Sequence, residues 1–194
     1  MNQSEVLVSK LKQGDQSGFT AVVELYQNMV YNTAIAIVQN AEDADDITQE
    51  VFVQVYVSIN AFKGESKLST WIYRITISKA LDHEKKKRRK KRFGFIQSIF
   101  GKQNEEEDLP AEFNHPGVLL EKKERAAELM KALKRLPENQ RIAFTLQKLE
   151  GQSNAEIAAI MNTSLQAVES LMSRAKANLR KTLLNYYNEG LQDK

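Results

Sequence analysis

The sequence predicts an all-α fold: two small helical domains joined by a flexible linker, the second containing a helix-turn-helix. Apolar residues recur at helical spacing in both halves, and the period-two alternation of a strand is nowhere sustained. Between the halves lies a stretch of glycine, proline and acidic residues without any period. The charge is also divided into blocks. Residues 1–82 carry 6 basic and 10 acidic side chains (net −4), residues 83–92 carry 8 and 1 (+7), residues 93–117 carry 1 and 5 (−4), and residues 118–194 carry 13 and 9 (+4), within an overall +3. A compact enzyme domain has little reason to segregate charge in this way. With 194 residues, 42% of them hydrophobic, the chain has enough apolar material for one ordinary domain or two small helical ones.

The elements follow in order. Val6, Leu7 and Leu11 mark a first helix, Phe19, Val22, Val23, Tyr26 and Val30 a second, and Ile47, Val51, Phe52, Val55 and Ile59 a third. Polar and glycine residues break the period at Gln13-Gly14-Asp15, Gln39-Asn40 and Lys63-Gly64-Glu65-Ser66. A fourth helix runs from about Ser69 through Trp71, Ile72, Ile75 and Leu81 into the basic run ending at Arg92. The first domain is therefore 1–92, the linker 93–117, with Gly94, Gly101, Glu105-Glu106-Glu107-Asp108 and Pro110, and the second domain 118–194. In the second domain a helix ends near Leu136, because Pro137 disfavours helical geometry before it and suits the first turn of the next. That next helix stops at Gly151. Ser153-Asn154-Ala155-Glu156 has the spacing of a capping box and opens a short helix to Met161. A tight turn follows, and Thr163 or Ser164 caps a longer helix with the stripe Val168, Leu171 or Met172, Ala175, Leu179 and Leu183. Short helix, turn and longer amphipathic helix form the pattern of a helix-turn-helix.

Composition removes most enzyme classes. With no cysteine there is no disulfide, thiol nucleophile or thiolate metal site, and the 2 histidines, His83 and His115, lie far apart in the sequence. No catalytic site, cofactor, metal or small-molecule substrate is expected. The amino terminus lacks the regions of a signal peptide and no long apolar run is present, so the expectation is a cytoplasmic protein that is not itself a membrane protein.

Three clusters carry the remaining chemistry. Off its apolar stripe the last helix leaves Gln166, Glu169, Ser170, Ser173, Arg174 and Lys176, with Ser164 at its start. Residues near such a helix start reach base edges in a major groove and later basic ones sit by phosphates, although an ordinary solvated face has the same period. Trp71 and Tyr73 stand beside Lys63, Lys67, Arg74 and Lys79, a mixture suited to unstacked bases and their phosphates; a lone Trp also fits a core position. Glu42, Asp43, Asp45, Asp46 and Glu50 share a helix face that fits a solvated surface, a divalent ion or a basic partner. The run Lys85 to Arg92 fits duplex phosphates.

The segments Leu136 to Arg141, Gly151 to Ala158 and Val168 to Ala175 resemble the fourth conserved region of bacterial RNA polymerase sigma factors of the sigma-70 family, in particular the extracytoplasmic-function (ECF) group. Asp43 to Phe52 is similar to the family's second region, and Phe62 to Ser66 with Leu68 to Ile75 to its promoter-melting segment. The resemblance implies a factor that binds core RNA polymerase and promoter DNA, with an anti-sigma factor as a further partner. It implies polymerase docking by Asp46, Gln49, Glu50 and Phe52, to which Tyr56 adds an apolar group. It implies −10 recognition by Lys63, Ser66, Lys67, Trp71, Tyr73, Arg74 and Ser78, and −35 recognition by Ser164, Gln166, Glu169, Ser170, Ser173, Arg174 and Lys176. Ser78 stands where many members carry Asn, and Glu169 where relatives often carry Lys or Arg. The other classes are an autonomous dimeric helix-turn-helix regulator bound to an operator, and a metal-dependent hydrolase on the acidic helix, for which further ligands are missing.

Overall fold

The computed structural model describes the backbone of residues 3–98 and 128–192, and side chains within 5–90 and 128–184. All regular structure among the described residues is helical: α1 (Gln3–Lys12), α2 (Gln16–Val38), α3 (Ala41–Ser58), a single 3₁₀ turn (Ile59–Ala61) and α4 (Leu68–Ser98) in the first half. The second half holds a short α5 at 128–134, then α6 (Glu138–Lys148), α7 (Asn154–Met161) and α8 (Leu165–Gln192). No described helix is long and apolar enough to cross a membrane.

Local chemistry sets the breaks. Asp15 caps α2 by accepting from the Ser17 N–H at 2.8 Å. Gln39, left-handed at φ 54°, closes α2 by donating its N–H to the Ile35 carbonyl, and Asn40 opens α3 by accepting from the Asp43 N–H. The Ser153 and Glu156 capping box is present in full, and Ser164 rather than Thr163 caps α8, accepting from the Ala167 N–H at 3.1 Å. Gly151 has φ +67°, the left-handed geometry that lets the chain leave α6 and turn into α7.

Helix α4 extends to Ser98, so residues 93–98, expected in the linker, continue the helix. One glycine, Gly94, costs a helix only about 1 kcal/mol and does not end it without a tertiary reason. The rest of the expected linker, and residues 118–127 of the helix expected before Leu136, lie outside the described residues.

In the first half α2, α3 and α4 pack on one another and α1 crosses the start of α2. In the second, α6, α7 and α8 form the helix-turn-helix unit, and Met130, Ala132, Leu133 and Leu136 pack on Ala175 and Leu179 of α8. The halves meet where α7 lies against α4 and α6 against α2. One contiguous set of buried apolar side chains runs from Leu11 and Val22 through Ile72 to Ile142, Leu146, Ile157 and Met172.

Gly18 is required where α1 crosses α2. A Cβ there would stand 2.6 Å from the Lys10 Cβ and 3.3 Å from the Leu11 nitrogen. Gly18→Ala should lower stability by about 1–2 kcal/mol, because overpacking outweighs the helix-propensity gain of about 1 kcal/mol. Urea unfolding measures this, and a variant as stable as its parent would show that α1 can move aside.

Candidate functional site

Helix α3 turns its acidic residues outward because Ala44, Ile47, Val51 and Val55 hold it against α2 and α4. Asp46, Gln49, Glu50 and Tyr56 are exposed as expected from their positions on the helix. Phe52 is not: it is 6% exposed, inside the core. The apolar side chains facing solvent on this helix are Val53, Tyr56 and Val57, the last 70% exposed. The apolar stripe is broad enough to include Phe52, because α3 packs against α2 on one side and α4 on the other. Asp46, Gln49, Glu50, Val53 and Val57 line one shallow surface with Lys79, whose ammonium lies 3.2 Å from Glu50. Tyr56 meets the Phe19 ring edge-on at 5.4 Å. Asp43 faces elsewhere: its carboxylate accepts from Lys87 at 3.0 Å and lies 3.1 Å from His83 Nε2, both on α4.

Between α3 and α4 runs a groove of about 640 Å³ whose walls include Trp71, Arg74, Ser78, Lys79, Lys86 and Arg89. Trp71 leans on the Phe62 ring at 5.2 Å and is half-buried, combining a packing role with an open face. Lys63 is exposed and Ser66 half-buried on the loop before α4. Tyr73 lies apart from this groove, 2% exposed, with its hydroxyl donating to Glu150 Oε2 at 3.1 Å and accepting from Gln152 Nε2 at 3.3 Å. The expected −10 set is thus split, Trp71, Arg74 and Ser78 on the groove and Tyr73 under the second half. Burial pushes the Tyr73 phenol up, and the Glu150 charge adds to this; burial also raises the Glu150 carboxyl.

Lys67 and Arg74 are exposed but engaged. Lys67 Nζ lies 2.8 Å from Glu156 Oε1, while Arg74 donates from Nε (3.2 Å) and Nη2 (2.6 Å) to the Ala159 carbonyl near the end of α7. Glu156 therefore serves two contacts, since its Oε2 accepts from the Ser153 N–H at 3.1 Å. Lys67, then the Ser153 bonds, hold the Glu156 carboxyl down at about 2.

Helix α8 buries Val168, Met172, Ala175 and Leu179, and Met172 rather than Leu171 is the fully buried residue of its second turn. Ser164, Gln166, Glu169, Ser170, Ser173, Arg174 and Lys176 are all exposed. Arg174 folds back to donate to Ser170 Oγ at 2.8 Å. Glu169, Ser173, Lys176 and Arg180 border a surface concavity with Gln147 and Asn154, which are joined by a 2.6 Å hydrogen bond.

The residues that sequence reasoning missed are Val53 and Val57 on the solvent-facing side of α3, and Gln39, Glu150 and Gln152 where helices meet. Gln39 donates to the Met130 carbonyl at 2.7 Å, tying α2 to the second half. Arg141 is 3% exposed beside Glu84 and Arg88, with its Nε unpartnered, and burial pulls its guanidinium pKa down. Glu156 carried a signal in the sequence, and that signal reported its cap rather than its tie to Lys67.

Residues 22–90 match the family described as sigma-70 region 2, and residues 126–179 that described as sigma-70, region 4. The chain is 31% identical over 172 residues to the ECF RNA polymerase sigma-E factor of Escherichia coli, covering 89% of this chain and 90% of the relative. It is 29% identical over 181 residues to the RNA polymerase sigma-H factor of Pseudomonas aeruginosa, covering 93% and 94%. Among solved structures, CnrH in complex with the cytosolic domain of CnrY is similar in fold, with TM-score 0.67, 21% identity and coverage of 93% and 96%. So is the sigma factor RpoE in complex with the anti-sigma factor NepR from Bartonella quintana, with TM-score 0.59, 23% identity and coverage of 85% and 96%.

The Glu156 contact is open to titration. Its carboxyl sits below the ordinary value of 4.5, so what the pair contributes to folding is complete above that value and is lost as pH falls toward about 2. Lys67→Met should raise the Glu156 midpoint followed by carboxyl-carbon NMR, leaving only the Ser153 contribution. An unmoved midpoint would mean that the pair does not form in solution.

Proposed function

We propose, from the premise that the chain belongs to the ECF group of the sigma-70 family, a division of labour between its two halves. The chain is a sigma factor that directs transcription by RNA polymerase at promoters, a DNA-binding initiation factor rather than an enzyme. Its partners are core polymerase and promoter DNA, and it works in the cytoplasm. The α3 face of Asp46, Gln49, Glu50 and Tyr56 docks on the polymerase, with Val53 and Val57 taking the anchoring role first assigned to Phe52. The α3/α4 groove, from Trp71 through Arg74 and Ser78 to the basic Lys86 and Arg89, holds the opened −10 strand. Bases stack on the aromatic wall and phosphates meet the basic one. Lys63, Ser66 and Lys67 on the approach to α4 take part in capturing an unstacked base, which offsets the few kcal/mol of unpairing without hydrolysis. The exposed start of α8, from Ser164 to Ser170, reads −35 base edges, and Ser173, Arg174 and Lys176 extend that surface toward phosphates. An anti-sigma factor would hold the chain inactive, a kind of partner with which the similar sigma factor RpoE of Bartonella quintana is found in complex.

The supporting observation is that both family segments stand in order, and that every side chain assigned to a partner, apart from Phe52 and Tyr73, is at least partly exposed. An autonomous dimeric regulator is not favoured, because it leaves the region 2 match without a role.

Transcription from a promoter library by core polymerase with and without the chain tests the reading; no promoter-specific initiation by the reconstituted enzyme would overturn it. Val53→Lys with Val57→Lys should weaken core binding while leaving helical content unchanged. Phe52→Ala should instead cost roughly 3–5 kcal/mol of fold stability, seen as a lowered unfolding midpoint, with docking lost only through unfolding. Arg174→Ala should cost roughly 1–3 kcal/mol at the −35 element and shift its base preference if the arginine reads a base. A uniform loss across all −35 sequences would place it on phosphate.

A further inference from the structure

We propose that Lys12, on the first helix, is a positioning residue for the loop that captures a −10 base, acting through the Phe62 carbonyl at the entry to that loop. This role rests on the −10 reading above and adds to it the element that sets the loop's shape. Lys12 Nζ donates to the Phe62 carbonyl at 2.8 Å, across 50 positions of sequence. Neither residue belongs to the set assigned to the −10 element, and neither lines the α3/α4 groove. Helix α1, residues 3–12, also precedes the segment matched to sigma-70 region 2, which begins at residue 22.

The loop, residues 63–67, has no regular structure and runs between two buried residues, Phe62 and Leu68. Three contacts converge on Phe62: its N–H donates to the Ile59 carbonyl at 3.0 Å, its ring leans on Trp71 at 5.2 Å, and its carbonyl accepts from Lys12. The first bond fixes the peptide plane before Phe62 and the Lys12 bond fixes the plane after it, so the direction in which the chain enters the loop is set on both sides. An ammonium donor makes the second of these the stronger kind of hydrogen bond. Further on, Gly64 is left-handed at φ +77° with open space beside it, so packing does not confine the chain at that point. Lys12 is itself held in place. Its neighbour Leu11 is buried in the core, and α1 touches the 3₁₀ turn that ends at Ala61. The close crossing at Gly18 seats α1 on α2. A loop that reads a base needs its polar groups in one arrangement before the base arrives. A loop spread over several arrangements has its affinity for that base lowered by the competent fraction, and release of the Phe62 carbonyl would spread it.

Lys12→Met removes the donor and keeps a long aliphatic stem, whereas Lys12→Arg keeps a donor. Lys10→Met makes the same charge change on the same helix, at a residue whose Cβ lies against Gly18 instead. Trp71 is the sole tryptophan, and its contact with Phe62 makes its fluorescence a probe of the loop entry in the free chain. Lys12→Met should increase acrylamide quenching of Trp71, and Lys12→Arg should restore the parent value. With holoenzyme on a promoter library, Lys12→Met should lower discrimination at one −10 position about fivefold, the factor that corresponds to the net contribution of one hydrogen bond. The other −10 positions and the −35 preference should stay as in the parent, and Lys12→Arg should recover the lost discrimination. Both measurements are made at a temperature where urea unfolding shows every variant folded. Trp71 quenching unmoved by Lys12→Met would overturn the proposal, as would an unchanged −10 preference. A loss spread evenly over all promoters, a loss equalled by Lys10→Met, or no recovery in Lys12→Arg would overturn it too. The parent holoenzyme keeps the two readings apart. Where it initiates at specific promoters and Lys12→Met leaves every −10 preference unchanged, only the positioning role falls; where it shows no promoter-specific initiation, the reading of the chain's function falls and the positioning role with it.

Discussion

Helix α4 has to satisfy packing on two sides at once, and the arrangement of the whole chain follows from that constraint. Leu68, Ile72 and Ala80 hold it in the core with α2 and α3, while Tyr73 and Arg74, a fraction of a turn away, face the second half. A helix with a single partner has one apolar stripe and one solvated face. Helix α4 has instead an apolar side, a seam side and a groove side carrying Ser78, Lys79 and Lys86. The groove and the seam share Arg74, so whatever occupies the seam also governs one wall of the groove.

The electrostatics of the seam are uneven. Tyr73 and Glu150 are desolvated, and each is acceptable there because it is hydrogen-bonded: the Tyr73 hydroxyl donates to Glu150 and accepts from Gln152, and the Glu150 carboxyl also bonds Asn32. Glu156 and Lys67 remain near solvent and keep their charges readily. Arg141 is the costly member, buried with its Nε unpartnered and with the charges of Glu84 and Glu138 set against that of Arg88. The seam thus buries apolar side chains and carries this cost with them.

The surfaces assigned to partners differ in the same physical terms. On α3 the acidic rim surrounds exposed Val53 and Val57, apolar area that a protein partner would cover. On α8 as far as Lys181 the exposed residues other than Leu165 in the first turn are short, polar or charged. That chemistry suits a hydrated groove and phosphates more than a dry protein surface.

What the sequence by itself determined is local: the helical class, the turns at Gln39-Asn40 and Gly151, the capping box at Ser153 and Glu156, and the exposed start of α8. Each depends on neighbours within a few residues, and one helical period defines one apolar face. Only the tertiary structure decided which way Phe52 and Tyr73 point, because each lies on a helix with more than one packed side and period alone does not divide a wide stripe among several partners. The same holds for Glu156, whose cap was legible while its tie to Lys67, 89 positions away, was not. Helix α4 passing Gly94 to reach Ser98 belongs with these cases, since helix propagation tolerates one glycine and the boundary is set beyond it. Contacts between distant segments arise when two apolar surfaces meet, and that meeting leaves no period in the chain.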